Sequence, residues 1–138
     1  MNTQILLPHQ FPELLRRIPS CPKKLYMQGT LPSATQPTKS DTEIKYLCVV
    51  GSRAYSHYGA AACRELIHGL AGYNICIVSG LALGIDGIAH EAALDAGLHT
   101  IAFPGSGLDI EVLYPERNHR LARRILAAGE SVVSLRVQ

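Results

Sequence analysis

The chain has 138 residues, of which 47% are hydrophobic and 17% are charged, and its net charge is +2. A chain of this length buries about two thirds of its unfolded surface, so we expect a self-sufficient core. No apolar run is long enough for a transmembrane helix, and residues 1–10 lack the regions of a signal peptide. These features exclude a membrane protein and predict a cytoplasmic location.

The spacing and the surroundings of the cysteines indicate their chemical state. The four cysteines, at positions 21, 48, 63 and 76, form no CxxC pair, and three of them lie in apolar periodic segments. We therefore expect buried free thiols rather than disulfides or a zinc site.

Between Arg64 and Arg117 there is no Lys or Arg. A polyanion would have to be held by the ends of the chain and by loop backbones.

Residues 1–45 are predicted to be a lead-in segment and a linker. Residues 11–18 have a proline in the first turn and an amphipathic pattern, which predicts a short helix, and residues 25–27 are predicted to be extended. Residues 29–45 are rich in Pro, Thr and Ser, which is typical of a linker or mobile loop. The packed domain is expected over residues 46–138.

Strand and helix patterns alternate from residue 46 onwards. Apolar runs predict strands at 46–50, 74–78, 99–103 and 131–137, and helical periodicity predicts helices at 58–71, 85–96 and 115–129. Short connections between them imply right-handed crossovers and a parallel sheet covered on both faces. We therefore predict an α/β, Rossmann-like three-layer fold with a mainly parallel sheet of about four strands and three helices.

Each of the first three predicted strands ends at a turn of small residues. These junctions are Gly51-Ser52-Arg53, Ser79-Gly80 through Gly84-Ile85-Asp86, and Gly105-Ser106-Gly107. The carboxyl ends of parallel strands share one edge, and the helix N-termini that follow leave backbone N–H groups free. Together the three junctions predict an anion-binding edge. Taken singly, each glycine has the alternative reading that it only permits a tight turn.

The glycine spacing matches no common nucleotide-binding fingerprint. Gly80, Gly84 and Gly87 have the wrong spacing for GxGxxG, and no GK[ST] follows any glycine loop. Ordinary NAD or ATP enzymology is therefore disfavoured. We predict no cofactor and no metal site.

The junctions and their flanking residues strongly resemble the DNA-processing protein A family (DprA, also called Smf). The resemblance is carried by Val50-Gly51-Ser52-Arg53, by Ser79-Gly80-Leu81-Ala82-Leu83-Gly84-Ile85-Asp86 with Ala89-His90, by Gly105-Ser106-Gly107-Leu108-Asp109 with Tyr114-Pro115 and Asn118, and by Phe11-Pro12-Glu13-Leu14-Leu15. It implies a protein that binds single-stranded DNA in natural transformation (DNA uptake) and recombination, without a catalytic step. It also implies RecA as a partner and a homodimer. Family members carry further strands, so an uncovered edge strand is expected here.

Twelve residues are predicted to bind DNA or its phosphates. They are Gly51, Ser52, Arg53, Ser79, Gly80, Gly84, Asp86, Gly105, Ser106, Gly107, Tyr114 and Asn118. Arg53 is the leading candidate because a guanidinium at the mouth of a βα turn can hold a phosphate bidentately. Its alternative is an ion pair with Asp109 or Glu111. Tyr114 and Asn118 are expected to contact a base, with core packing as the alternative for Tyr114.

Each of the other predicted site residues has two possible roles. Asp86 is expected either to pair with His90 one turn later, or to orient the glycine loop or meet a sugar hydroxyl. Ser79 is expected to contribute a hydroxyl to the ligand or to cap a helix. A secondary basic face is expected from Arg117, Arg120 and Arg124, which otherwise are solvated side chains.

A different function class stays open at this point. LOG-type phosphoribohydrolases have a similar layer with a glycine-rich phosphate loop, and Gly105-Ser106-Gly107 could seat a phosphoribosyl group. That family's catalytic glutamate lies in a GGxGTxxE pattern, which is absent here although Glu111 is near. A nucleotide-binding enzyme or sensor is therefore the alternative function. A scaffold that has lost its ligand is a third possibility.

Overall fold

One six-stranded sheet organises the chain, and a computed structural model describes residues 2–32 and 43–136 of it. The strands are β1 (Gln4–Leu6), β2 (Leu25–Gly29), β3 (Lys45–Cys48), β4 (Ile75–Ser79), β5 (His99–Ala102) and β6 (Ser131–Ser134). The helices are α1 (Glu13–Arg16), α2 (His57–His68), α3 (Ile85–Asp95) and α4 (His119–Ala127), and 3₁₀ turns span Pro8–Gln10 and Glu116–Asn118.

The strand order is β1-β2-β6-β5-β4-β3. The last four strands in the chain pair in parallel, whereas β2 pairs antiparallel with β6 and β1 pairs antiparallel with β2. The predicted α/β fold with a mainly parallel sheet is confirmed, with six strands instead of about four. The two additional strands come from the lead-in, so residues of both predicted segments share this sheet.

The two faces of the sheet are covered by different parts of the chain. Because β3, β4, β5 and β6 follow one another across the sheet, right-handed crossovers place α2, α3 and α4 on the same face. On that face Ile77 packs with α2 and α3, and Val132 packs with α4. On the opposite face, Ile101 and Val133 pack with Phe11 of the lead-in. The expectation that both faces are covered holds, but helices α2 to α4 cover only one of them.

Several predicted helix and strand boundaries were wrong by a few residues. The first helix is only Glu13–Arg16, and β6 ends at Ser134 rather than at residue 137. Helix α2 begins one residue earlier than predicted, because the Ser56 hydroxyl accepts the Gly59 N–H at 3.0 Å, and it ends three residues earlier. The predicted last helix starts with a 3₁₀ turn before α4. Most of the predicted linker, residues 33–42, lies outside the described residues.

The four cysteines are free thiols in different environments. Cys63 and Cys76 are buried, as expected, and Cys21 is half-buried. Cys48 is exposed because it lies on the edge strand β3, so the expectation of burial was wrong for this residue. No helix among the described residues has the length and apolar character needed to cross a bilayer.

His90 of helix α3 and His99 of strand β5 are each held by a side-chain hydrogen bond. His90 is fully buried, and its Nδ1 lies 2.7 Å from the Thr100 hydroxyl, which itself donates to the Ile77 carbonyl. His90 therefore bonds Thr100 rather than pairing with Asp86. Burial lowers the pKa of His90 to about 4, although the charge of Asp86 opposes this shift. The hydrogen bond from His99 to Glu130 has the opposite effect and raises the pKa of His99.

We predict that the His90 environment makes the fold sensitive to acid. The pKa of His90 lies below the usual 6.5, so as the pH falls from 6.5 towards 4 the unfolded chain takes up the proton first. The free energy of unfolding should fall by about 3 kcal/mol over this window because of His90. His99 acts in the other direction, because its raised pKa adds stability at low pH that is lost as the pH rises.

Urea denaturation across this pH window measures the effect. The variant His90→Gln should lose the His90 part of the pH dependence. The matched variant His68→Gln, at an exposed position on α2, should keep the pH dependence of the unmodified chain. An unchanged pH dependence in His90→Gln would contradict the assignment.

Candidate anion-binding site at the carboxyl edge of the sheet

All three glycine junctions contribute to one cavity of about 170 Å³. Its lining is Arg53 from the first junction, Gly80, Ala82 and Leu83 from the second, Gly105 from the third, and Tyr114 with Pro115 from the loop that follows. The parallel order of β3, β4 and β5 brings these turns to one edge. The structure thus brings four of the twelve predicted site residues around one cavity: Arg53, Gly80, Gly105 and Tyr114.

Polar groups at this cavity are free to bind a ligand. Within the two described ranges, Arg53, Leu83 and Gly105 form no intramolecular hydrogen bond, and no ion pair joins Arg53 to Asp109 or Glu111. The alternative that Arg53 is held by one of these carboxylates was therefore wrong. The Arg53 guanidinium and the main-chain N–H groups of Arg53, Leu83 and Gly105 are therefore open to an anion or to water.

Gly84 brings the first two junctions together. Its φ is +86°, and a Cβ on it would lie 2.3 Å from the Ser52 carbonyl oxygen and 2.6 Å from the Arg53 Cα. The next residue, Ile85, donates its N–H to the same Ser52 carbonyl at 3.2 Å. A Cβ on Gly51 would in turn lie 2.8 Å from the Ile85 Cβ. These two glycines are needed for close packing that places Arg53 beside the second junction.

Asp86 orients the glycine loop, which was one of its predicted roles. The carboxylate is buried, and its Oδ2 accepts the Gly80 N–H at 3.0 Å. A Cβ on Gly80 would lie 2.9 Å from the same oxygen. Because this hydrogen bond uses the Gly80 amide, Gly80 contributes space at the cavity rather than a donor to a ligand.

Asn118 fixes the next part of the same loop. Its Nδ2 donates to the carbonyls of Leu81 at 2.8 Å and Ala82 at 3.1 Å. Leu81 has a φ of 60°, the left-handed region, which costs a residue other than glycine about 1–3 kcal/mol. The side-chain nitrogen of Asn118 is thus engaged with the loop, and only its oxygen is left for the predicted contact with a base.

The predicted serines shape the turns. Ser79 is buried and donates its hydroxyl to the Val49 carbonyl at 2.6 Å, so it neither caps a helix nor reaches the surface. Ser106 donates to the Gly107 carbonyl and accepts the Tyr114 N–H at 2.9 Å. Ser52 makes its hydrogen bonds with Ala54.

The side chain of Tyr114 lines the cavity, and other exposed aromatic residues lie close to the junctions in the sequence. Tyr114 is 62% exposed, so the alternative that it packs in the core was wrong. The Tyr114–Pro115 peptide is cis. Tyr55, two residues after Arg53, is also exposed, and Phe103 follows the end of β5. Tyr55 and Phe103 were not among the predicted site residues. Their positions in the sequence, just after the first junction and just before the third, could have indicated them.

The predicted basic face is smaller than expected. Arg117 and Arg120 are exposed and form no ion pair in residues 2–32 and 43–136, whereas Arg124 lies 3.2 Å from Asp95. Arg117 lies two residues after Pro115, which lines the cavity. Within the described residues, Arg117 and Arg120 are therefore the members of this face that no carboxylate pairs, and Arg117 is the nearer of the two to the cavity in sequence.

A larger cavity, of about 430 Å³, lies elsewhere and contains none of the predicted site residues. Its wall is mainly apolar and comes from α4, β6 and the loop before α4, including Leu113, Leu126 and Val132. Because it has no glycine junction, the smaller cavity stays the candidate site. Glu111, the residue considered for hydrolysis, does not line that smaller cavity.

The fold and the site define a class of protein: a Rossmann-like α/β protein with a candidate anion-binding cavity at the carboxyl edge of its sheet. Comparison with known proteins gives the family. The model of the DNA recombination-mediator protein A family matches residues 3–137. The chain belongs to this family.

Individual members show the same relationship. The chain is 38% identical over 130 residues to Protein Smf of Synechocystis sp., covering 93% of this chain and 31% of that protein. It is 43% identical over 111 residues to the DNA processing protein DprA of Streptococcus pneumoniae, covering 80% of this chain and 36% of that protein. The chain thus spans about a third of these two relatives.

Solved structures agree with the fold. The crystal structure of DprA from Streptococcus pneumoniae matches with a TM-score of 0.74 and 36% identity, covering 95% of this chain and 43% of that one. DprA from Helicobacter pylori matches with a TM-score of 0.73 and 29% identity, covering 96% of this chain and 54% of that one. The Helicobacter pylori structure is described by its single-stranded DNA binding mode.

We predict that Asn118→Ala loosens the glycine loop. The carbonyls of Leu81 and Ala82 would lose their donor, while Leu81 would keep its unfavourable φ. Leaving buried acceptors unpaired should lower the free energy of unfolding by about 1–3 kcal/mol, measured by urea denaturation. The neighbouring change Arg117→Ala removes an exposed side chain and should leave stability nearly unchanged. Equal effects of the two changes would refute this role for Asn118.

Proposed function

We propose that this chain binds single-stranded DNA through its phosphates at the carboxyl edge of the sheet. The observation that carries the proposal is the unpaired Arg53 at a cavity shared by all three glycine junctions. A guanidinium beside free main-chain N–H groups is suited to a phosphate, which accepts several hydrogen bonds at once. The family and the binding mode described for the Helicobacter pylori relative give further support. The corresponding role is in DNA processing, including natural transformation and recombination.

The size of the cavity favours a phosphate over a whole nucleotide. Pockets that bind small molecules usually measure about 300–1,000 Å³, whereas this cavity measures about 170 Å³. The sugar and the base would then lie outside, beside the exposed ring of Tyr114. Bases are free to stack on aromatic rings in single strands but not in a duplex. This difference is the reason for proposing a single-stranded ligand.

The proposed role is binding without a chemical step. The residues that line the cavity include no carboxylate and no histidine. Behind the lining, Asp86 is engaged with the Gly80 amide. A phosphoribohydrolase needs a residue placed to assist cleavage of the bond to the base, and none of the cavity residues is suited to that task. The geometry thus gives no support to the LOG-like alternative.

Two partners complete the proposal. A protein of the recombination-mediator family that holds single-stranded DNA would deliver it to a recombinase, and RecA is the partner that the resemblance implies. The same resemblance implies a homodimer. Both interactions would take place in the cytoplasm.

We predict that Arg53→Ala weakens binding of a fluorescent oligothymidylate, measured by fluorescence anisotropy. Loss of a charge-assisted contact worth about 1.5–3 kcal/mol should raise the dissociation constant by roughly tenfold or more. The slope of log affinity against log salt should become shallower by about 0.7, the value for one phosphate of a single strand.

The control for this experiment is Arg16→Ala, an equal change of charge on α1 at a residue that does not line the cavity. Its affinity and salt slope should stay close to those of the unmodified chain. Equal losses in both variants would mean that only net charge matters, and would overturn the phosphate site.

We predict that Tyr114→Ala weakens oligonucleotide binding by about 1–3 kcal/mol, the contribution of one stacked base. Inorganic phosphate should compete at Arg53 equally well in this variant and in the unmodified chain, because phosphate has no base. The variant Tyr114→Phe keeps the ring and should restore binding. If Tyr114→Phe binds as weakly as Tyr114→Ala, stacking is not the role of this ring.

A further inference from the structure

The cavity of about 430 Å³ lies between α4, the loop before it and the strands β2 and β6. Its floor includes Gln28 of β2 and Val132 of β6, which face each other in the antiparallel register. Both strands are paired on each side, so this floor belongs to the inside of the sheet. The volume lies within the range of about 300–1,000 Å³ that is usual for pockets that bind small molecules.

The loop that closes this cavity is fixed at several points. The Ser134 hydroxyl donates to the Ser106 carbonyl at 2.6 Å, and the His119 Nε2 donates to the Leu113 carbonyl at 2.5 Å. Within the loop, the Leu113 N–H donates to the Asp109 carbonyl at 2.9 Å. The wall is therefore preformed, and a ligand would not have to order it.

Most of the wall is apolar. Leu108, Leu113, Ala122 and Val132 belong to one buried cluster, and Leu126 packs against it. A ligand with a large apolar group displaces water from this wall, and burial of its apolar area stabilises the complex. A ligand that is polar on all sides would lose hydration here without an equivalent gain.

Two side chains of opposite charge line the cavity without pairing. They are Arg123 of α4 and Asp109 of the loop, and neither side chain forms an ion pair or a hydrogen bond within residues 2–32 and 43–136. Gln28 adds an acceptor, because its Nε2 donates to the Thr3 hydroxyl at 3.1 Å and its Oε1 is left for a ligand. The cavity thus offers one cation, one carboxylate and one amide oxygen beside an apolar wall.

We propose that this cavity binds a free amino acid with a large apolar side chain. The ligand carboxylate pairs with the Arg123 guanidinium, and the ligand ammonium donates to the Asp109 carboxylate and to the Gln28 Oε1. The ligand side chain lies on the apolar wall. A simple acid would leave Asp109 without a partner, and a phosphate would be repelled by it. A ligand that carries both charges satisfies both side chains.

Isothermal titration calorimetry of the full chain with L-phenylalanine tests the proposal. We expect one saturable site per chain. Three related compounds should each bind about tenfold or more weakly: hydrocinnamate, which lacks the ammonium, phenethylamine, which lacks the carboxylate, and L-serine, which lacks the apolar ring. These comparisons use the unmodified chain, so they do not depend on how a variant folds.

Variants assign the two charges. Arg123→Ala and Asp109→Asn should each weaken L-phenylalanine binding by about tenfold or more, because each removes one charged partner. The matched controls are Arg120→Ala on the same helix and Glu111→Gln in the same loop, equal changes of charge at exposed residues outside this cavity. Both controls should bind like the unmodified chain. Arg53→Ala, at the smaller cavity, should also keep its affinity for L-phenylalanine, which separates this site from the proposed DNA site.

N-acetyl-L-phenylalanine amide separates a free amino acid from a side chain of a polypeptide. This compound has the ring but neither charge, and we expect no detectable binding. If it binds as tightly as L-phenylalanine, the cavity accepts the apolar side chain of a polypeptide segment and the proposal is overturned. The absence of saturable L-phenylalanine binding, or equal losses in the matched control variants, would overturn it as well.

Discussion

The close approach of Gly84 to the main chain of Ser52 and Arg53 is the contact on which the rest of the site depends. A side chain at residue 84 would overlap the Ser52 carbonyl, so the second junction can touch the first only through a glycine. The parallel sheet brings the two turns to the same edge, and this contact fixes their separation. Arg53 can therefore share a cavity with Leu83.

Buried polar groups do a different task from exposed ones at this edge. Asp86 accepts a hydrogen bond from the main chain of the second junction, and Asn118 donates to main-chain carbonyls of the same junction. Ser79 donates to the carbonyl of Val49, which follows the end of β3. These bonds hold the loop in place, including the unfavourable φ of Leu81. Because the loop is already fixed, a ligand bound by Arg53 would not have to order it. Low ordering cost favours binding by a few contacts.

The alternation of strands and helices could be predicted because each element has a clear period and ends at a glycine or proline. The strand β1 could not, since its three residues show no alternation and are held by pairing with β2. At the site, the glycines and Arg53 were visible in the sequence. The roles of Ser79 and Asn118 were not, because a side chain that donates to a distant carbonyl cannot be distinguished by sequence from one that faces a ligand.

Part of the lead-in covers the sheet face that helices α2 to α4 leave open, where Phe11 and Leu25 belong to one apolar cluster with Ile101 and Val133. Four of the seven buried residues in this cluster, Leu6, Phe11, Leu25 and Met27, therefore belong to the first 32 residues. A shortened chain that began at β3 would keep every residue of the cavity yet leave the back of β5 and β6 open to water. Such a chain would be prone to aggregate, so the amino-terminal segment has to be kept whenever the cavity is studied in isolation.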